Sequence, residues 1–152
     1  MEGGEFQLTT ALENLRQKGA KFSLGKVDDW MDCGNKNATV ETNGKILAYE
    51  KEEMSHFPAS AKIENSLIIP PCFIGENVEI KNSKIGPFVS LGNGTCVVNS
   101  NIENSLIQEN TVINHGNLSN SMIGSNAHYF GVSREISLGD YSVLDFLSKG
   151  ND

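Results

Sequence analysis

Three acidic residues flank the single tryptophan of the chain in residues 28–35, which read DDWMDCGN. Carboxylate oxygens are the ligands that Mg²⁺ prefers, and a bound Mg²⁺ in turn binds phosphate oxygens. The same letters also describe a solvated acidic turn, because Gly34 and Asn35 are common turn residues. The stretch is therefore either a cation or phosphate site or a plain acidic loop, and its neighbours must decide between the two.

The composition narrows the class of protein. The 152 residues fit one domain or a small domain with an appendage, and the formal net charge is −7. Nucleic acids and anionic membranes attract basic surfaces, so we expect neither as a partner. The first ten residues have neither the basic region nor the apolar region of a signal peptide, so we expect none, and no apolar run has the length of a membrane helix. Cys33, Cys72 and Cys96 are widely spaced, which favours reduced thiols in a cytoplasmic protein.

The first 57 residues read as mixed α/β. The pattern predicts a helix over residues 10–18, in which Thr10 and Glu13 form a capping box and Gly19 ends the helix. Its apolar face consists of Leu8, Leu12 and Leu15.

Two further elements are predicted before residue 58. In KFSLGKV, Phe22 and Leu24 alternate as in a strand. A second helix follows the acidic stretch, capped by Asn35 or Asn37, although Gly44 inside it weakens the pattern. Its apolar face is predicted to include Val40, Leu47 and Ile46.

From Ile63 onward apolar residues recur every five or six residues, at positions 63, 68, 74, 80, 85, 91, 97, 102, 107, 113, 118 and 123. Asn-Ser pairs recur on top of this pattern, with Asn65, Asn82 and Asn99 spaced by 17 residues. Neither a helix nor an alternating strand has this period. Three steps make one coil, whose inward aliphatic residues stack on those of the next coil. Asparagine at the corners tolerates the left-handed backbone of a tight turn.

This hexapeptide repeat resembles the left-handed parallel β-helix, and the resemblance implies the hand of the coils. We expect roughly four coils, a loop at SNAHYFGVSRE that interrupts them, and one more rung with a cap at ISLGDYSVLDF. The open ends of such a stack expose sheet edges that need a cover or a partner.

A helix, a strand and an acidic turn placed directly before hexapeptide coils resemble the C-terminal part of a sugar-1-phosphate nucleotidylyltransferase. Glucose-1-phosphate thymidylyl-, uridylyl- and adenylyltransferases are of this kind. GEFQLTTAL resembles the family's Glu-x-x-Leu-Thr-Asp-Ala segment, with Glu5, Leu8, Thr9 and Ala11 in place and Thr10 where aspartate is usual.

WMDCGN resembles the family's Trp-x-Asp-x-Gly-Thr segment, with Asn35 where threonine is usual. The resemblance implies that Asp32 is a Mg²⁺ ligand and that Glu5 binds sugar hydroxyls. It also implies that Trp30 packs in the core behind the loop and that Gly34 lets the backbone approach the sugar. Asp28 and Asp29 match no motif position, so we expect them to be solvent-exposed.

The family's glycine-rich loop with its Gly-Thr-Arg run, its catalytic lysine and a second metal-binding aspartate have no counterpart in this sequence. We therefore expect a fragment, a split-gene product or a truncated relative that is inactive alone. The predicted fold is mixed: an α/β remnant of a nucleotidyltransferase domain in residues 1–57, then a left-handed parallel β-helix in residues 58–152. The parent enzyme would use a sugar 1-phosphate and a nucleoside triphosphate.

Two other functions stay open. Many hexapeptide proteins are acyltransferases with a catalytic histidine at a subunit interface. His115, at a coil corner, and His128, in the predicted interrupting loop, are the candidates. The corner position favours a plain surface role for His115, and a loop can carry a histidine such as His128 without any catalytic role. Alternatively the coils are a non-catalytic assembly module. In either case we expect a homo-oligomer formed through the β-helix.

Overall fold

The computed structural model describes residues 8–50, 57–131 and 135–145. They form two helices, α1 (Leu8–Gln17) and α2 (Lys36–Tyr49), and fifteen short strands. The chain divides into two compact units, Met1–Trp30 and Met31–Asp152. The strands are β1 (Lys62–Glu64), β2 (Leu67–Ile68), β3 (Cys72–Ile74), β4 (Glu79–Lys81), β5 (Lys84–Ile85), β6 (Val89–Leu91), β7 (Cys96–Val98), β8 (Asn101–Glu103), β9 (Ser105–Ile107), β10 (Val112–Asn114), β11 (Asn117–Ser119), β12 (Met122–Ile123), β13 (His128–Phe130), β14 (Ser137–Leu138) and β15 (Val143–Asp145).

The first unit contains α1, which ends as predicted. Gly19 has φ +90°, and the N–H groups of Gly19 and Ala20 donate to the carbonyls of Arg16 and Leu15 at 3.0 Å each. This pair of bonds is the Schellman motif. The predicted capping box is wrong, because Thr10 lies inside the helix and Glu13 accepts hydrogen bonds from Arg16.

The predicted strand after α1 is also wrong. Phe22 and Leu24 are exposed, and residues 20–30 contain no strand. A strand needs a neighbour for its backbone N–H and C=O groups, and no described strand pairs with this segment. All residues of α1 are likewise exposed, including its three leucines.

The second unit is a parallel β-solenoid, which confirms the repeat reading of the sequence. Each of the first four coils contributes one strand to each of three parallel sheets, and each sheet runs along the solenoid. Sheet 1 pairs residues 17 apart in the first coils, as in Lys62 with Glu79, and 16 apart later, as in Val112 with His128. The sheets are sheet 1 (β1-β4-β7-β10-β13-β15), sheet 2 (β11-β8-β5-β2) and sheet 3 (β14-β12-β9-β6-β3).

The core of the solenoid is the column of inward residues that the five-to-six-residue spacing predicts. From Ile74 to Ile123 every predicted aliphatic position is buried, and Ile63 and Ile68 of the first coil are partly buried against this core. The column continues into the predicted interruption, because Tyr129 pairs with Ile113 and is fully buried. The interruption is therefore shorter than predicted, since an aromatic residue takes the inward place that the pattern reserved for an aliphatic one.

The corners of the coils use the Asn-Ser pair in two ways. Asn65, Asn82 and Asn99 have φ between 45° and 49°, as the left-handed turn predicts. The serines that follow these asparagines form a hydrogen-bonded column, which we call the serine ladder and which consists of Ser66, Ser83 and Ser100. Ser100, for example, donates from Oγ to the Val98 carbonyl (2.6 Å) and accepts the N–H of Gly116 in the next coil (2.9 Å).

Helix α2 belongs to the same unit and packs on sheet 3. Val40 and Leu47 are buried, as predicted, whereas Ile46 is exposed. Asn43 accepts a hydrogen bond from Ser90 of β6 at 2.6 Å. In the described ranges, which omit residues 1–7, 51–56, 132–134 and 146–152, no helix has the length and apolarity needed to cross a membrane.

Candidate functional site

The loop between Asp32 and Asn35 is an ordered turn with an exposed carboxylate. Asp32 accepts the backbone N–H of Gly34 on Oδ1 at 3.1 Å. A Cβ at position 34 would lie 3.3 Å from Asp32 Oδ2 and 3.4 Å from Oδ1. Glycine therefore lets the carboxylate fold back onto the turn without crowding.

Helix α2 fixes this loop from its own first turns. Asn35 is the N-cap: its backbone is extended, and its Oδ1 accepts the N–H of Ala38 at 3.0 Å. The hydroxyl of Thr42 donates to the Asp32 carbonyl at 2.9 Å, and that of Thr39 donates to the Cys33 carbonyl at 3.3 Å. Asparagine is among the preferred N-cap residues, which explains why the helix begins directly after Asn35.

The start of α2 is hydrogen-bonded to later coils of the solenoid, at Asn120 and Glu135. The Lys36 side chain is only 19% exposed; its ammonium donates to the Asn120 carbonyl at 2.9 Å and to the Glu135 carboxylate. Asn120 Nδ2 also donates to Glu135, at 3.1 Å, and to Asn37, at 3.3 Å. The hydrogen bond from Lys36 lowers the pKa of the Glu135 carboxyl below its ordinary value. The solenoid therefore fixes the position of α2 through Lys36, and α2 in turn fixes the Asp32 loop through Thr39 and Thr42.

The described residues do not provide a complete metal site around Asp32. No group of three or more His, Cys, Asp or Glu side chains that could hold a metal ion occurs in this part of the chain. Asp32 by itself can supply one carboxylate to Mg²⁺, which commonly takes one or two from a protein and the rest from phosphate and water.

The structure bears differently on each of the other residues predicted around this loop. Glu5 lies outside the described residues. Trp30 is 78% exposed, so the expectation that it packs in the core is wrong; the segment before it forms no sheet for it to pack on. Asp28 and Asp29 are exposed, as expected, and Asp28 pairs with Lys26.

The two histidines of the acyltransferase alternative lie on different surfaces of the solenoid. His115 occupies a corner with φ 57°, one coil beyond Asn99, as predicted. His128 is not in a loop; it is an exposed residue of β13, paired in register with Val112 and Val143. Its ring lies 6.3 Å from that of Phe130. The placement in a loop was wrong because Tyr129 continues the inward column.

Several residues that hold the Asp32 loop and α2 in place were not predicted from the sequence. Thr39 and Thr42 could have been found as hydroxyl residues in the first turns of a capped helix, where they commonly bond nearby carbonyls. No sequence signal links Lys36 to Asn120 and Glu135, because the contact joins residues that are 84 and 99 positions apart.

The chain was compared with known proteins. No protein-family model matches the chain. A glucose-1-phosphate thymidylyltransferase of Streptomyces antibioticus is 28% identical over 166 residues, which cover 95% of this chain and 46% of that protein. One of Streptomyces griseus is 27% identical over 118 residues, covering 68% of this chain and 33% of its own. The chain thus spans less than half the length of these relatives. The predicted resemblance to the C-terminal part of sugar-1-phosphate nucleotidylyltransferases is thereby confirmed.

Proposed function

We propose that this chain forms the C-terminal part of a sugar-1-phosphate nucleotidylyltransferase, which joins a nucleoside triphosphate to a sugar 1-phosphate and releases pyrophosphate. The observation that carries the proposal is the similarity to two thymidylyltransferases, one of which it matches over 95% of its length. The ordered loop at Asp32 adds support, because its exposed carboxylate sits on a fixed backbone.

The reaction moves charge between phosphate oxygens, so catalysis depends mainly on positioning and on neutralising charge. In this chain Asp32 would supply a carboxylate for Mg²⁺, whose chemistry is to neutralise the phosphates when it is bound. Thr42 and Thr39 would keep the Asp32 loop in one conformation, and Lys36 would keep α2 on the coils. A carboxylate on a preorganised loop loses little freedom when it engages its partner.

We also propose substrate-binding roles for Glu5, Trp30 and Gly34. The Trp30 ring is open to solvent and so can contact a ligand, which a core tryptophan could not. Gly34 has no side chain, and the Asp32 carboxylate lies against its backbone, so a sugar that reached this carboxylate would also lie beside the Gly34 backbone. Glu5 would hydrogen-bond sugar hydroxyls.

The chain alone is proposed to be inactive, because its sequence has no glycine-rich phosphate loop. The test joins it to the N-terminal half of the S. antibioticus relative and measures pyrophosphate release from a nucleoside triphosphate and glucose 1-phosphate with Mg²⁺. Turnover by the joined protein and none by either half supports the proposal. Turnover by the chain alone, or none by a folded joined protein, would reject it.

The finer architecture is part of the same proposal. We propose a left-handed winding of the coils and a nucleotidyltransferase remnant in residues 1–57, both on the strength of the resemblance. We propose the cytoplasm as its location, because the three cysteines are free thiols and the reducing cytoplasm keeps them so.

The coils are also proposed to pair copies of the chain. On the outward face of the later coils in sheet 1, Val98, Val112, Phe130 and Val143 lie in two adjacent rows, together with the polar residues Asn114, His128 and Asp145. Sedimentation equilibrium should show an oligomer that Val112→Lys dissociates and that Lys84→Glu on sheet 2 leaves intact. A wild-type chain that stays monomeric at high concentration would contradict this pairing.

A further inference from the structure

A groove of about 610 Å³ runs between one side of α2 and one corner of the coils. Its volume falls in the range of small-molecule sites. The helix contributes Asn37, Glu41, Gly44, Lys45 and Ala48, and the corner contributes Phe88, Asn104 and Asn120 from three successive coils.

One of the three corner residues, Phe88, has a backbone conformation that is unusual for its side chain. Asn104 and Asn120 have φ 40° and 47°, a conformation that asparagine tolerates, whereas Phe88 has φ 60°. A bulky residue with this backbone is strained. The structure thus keeps an aromatic ring in the groove at a position where asparagine would be easier to accommodate.

The Asn104 amide gives the groove an open hydrogen-bonding edge. Within the described residues its side chain makes no hydrogen bond, unlike Asn120, which bonds Asn37 and Glu135. Asn104 and Phe88 lie on adjacent coils, whose strands are about 5 Å apart. An aromatic face and a free carboxamide therefore line the same space.

A carboxamide presents a donor beside an acceptor, which matches the edge of a nucleobase, and aromatic rings stack on the faces of bases. The two charged residues of the lining, Glu41 and Lys45, form an ion pair at 3.3 Å. The groove therefore offers no uncompensated charge to a phosphate.

From these contacts we propose that the groove binds an uncharged nucleobase or nucleoside, with the base on Phe88 and its edge on Asn104. The site is separate from the Asp32 loop and does not depend on the proposed transferase activity.

Gly44 provides a variant that separates ligand binding from folding. A Cβ at this position would lie 3.9 Å from Asn104 Oδ1 and 4.0 Å from Phe88, in ordinary contact. Gly44→Ala should therefore raise the melting temperature, because alanine is the better helix former, while its methyl group would lie against both Phe88 and Asn104. Phe88→Asn should likewise relieve the strained corner and remove the ring.

The experiment is a titration of the ¹⁵N-labelled full chain with adenosine and with thymidine, followed by amide chemical shifts. Ribose is the control without a base, and AMP and TMP are the charged arms. We expect at least one nucleoside to shift the amides of Gly44 and Asn104 with saturation, and ribose to shift neither.

Asn104→Asp keeps the left-handed corner but replaces the amide donor, and should weaken binding roughly tenfold or more. Asn110→Asp makes the same change at another left-handed corner and should leave binding unchanged. Gly44→Ala and Phe88→Asn should abolish binding in a folded protein.

The proposal is overturned if neither nucleoside binds, or if Asn104→Asp binds as tightly as Asn110→Asp. It is also overturned if ribose binds equally well, or if Gly44→Ala keeps full affinity. Tighter binding of AMP than of adenosine would overturn the assignment of an uncharged ligand.

Discussion

Removing the hydroxyl of Ser100, the last serine of the serine ladder, should destabilise the solenoid measurably. In Ser100→Ala the N–H of Gly116, a buried residue, loses its acceptor, whereas the Val98 carbonyl keeps a second donor, the N–H of His115 at 3.1 Å. One buried donor is therefore left unsatisfied, at a cost of about 1–3 kcal/mol. We expect the free energy of unfolding to fall by about 2 kcal/mol, or the melting temperature by roughly 4–8 °C for a chain of this size.

Urea unfolding followed by circular dichroism measures this loss, and the slope against urea should not change. The matched control is Ser66→Ala in the first coil. Ser66 makes the same two bonds, to the Glu64 carbonyl at 2.7 Å and from the Ser83 N–H at 3.0 Å, but it is only half-buried. Water can replace its hydroxyl, so we expect a loss below about 1 kcal/mol. Equal losses in the two variants would refute the reasoning that burial sets the cost.

The remaining predictions concern three other contacts. Gly116→Ala should cost about 1–3 kcal/mol in urea unfolding, since its Cβ would lie 2.8 Å from Ile113 Cγ2; an unchanged midpoint would contradict this. Asn35→Ala should cost about 1 kcal/mol through the lost helix cap, and Asn35→Thr should restore most of it. Glu135→Gln tests the contact with Lys36 by its pH dependence. The folded-state pKa of Glu135 is lowered, so its ion pair stabilises above the unfolded-state pKa, and that stability is lost as the pH falls through the folded-state value. The melting temperatures of wild type and variant should differ at neutral pH and converge in acid, and a difference independent of pH would exclude the ion pair.

The solenoid was predictable because its information is local and repeated. Each inward aliphatic residue recurs at a fixed step, and asparagine marks corners that few other residues tolerate. The serines next to those asparagines were visible as part of the repeat, but their role depends on bonds between residues 16 or 17 apart. Tyr129 shows the limit of the pattern, since an aromatic side chain can occupy an inward position that period alone assigns to an aliphatic one.

The segment before the coils was less predictable, because its alternating pattern presupposed a sheet. Phe22 and Leu24 have the spacing of a strand, but no strand of the described residues lies beside them. Trp30 has the character of a core residue but is exposed. The second helix was predictable from its Asn35 cap and the spacing of Val40 and Leu47. The contact of Lys36 with Glu135 was not, because only the completed coils bring the two residues together.

The role proposed for Asp32 can be tested most directly in the protein that joins this chain to the N-terminal half of its thymidylyltransferase relative. Asp32→Asn keeps an oxygen to accept the Gly34 N–H and removes the charge, and Asp28→Asn is the matched control. We predict that pyrophosphate release falls about 100-fold or more in Asp32→Asn and stays unchanged in Asp28→Asn. Equal rates in the wild type and Asp32→Asn would contradict it.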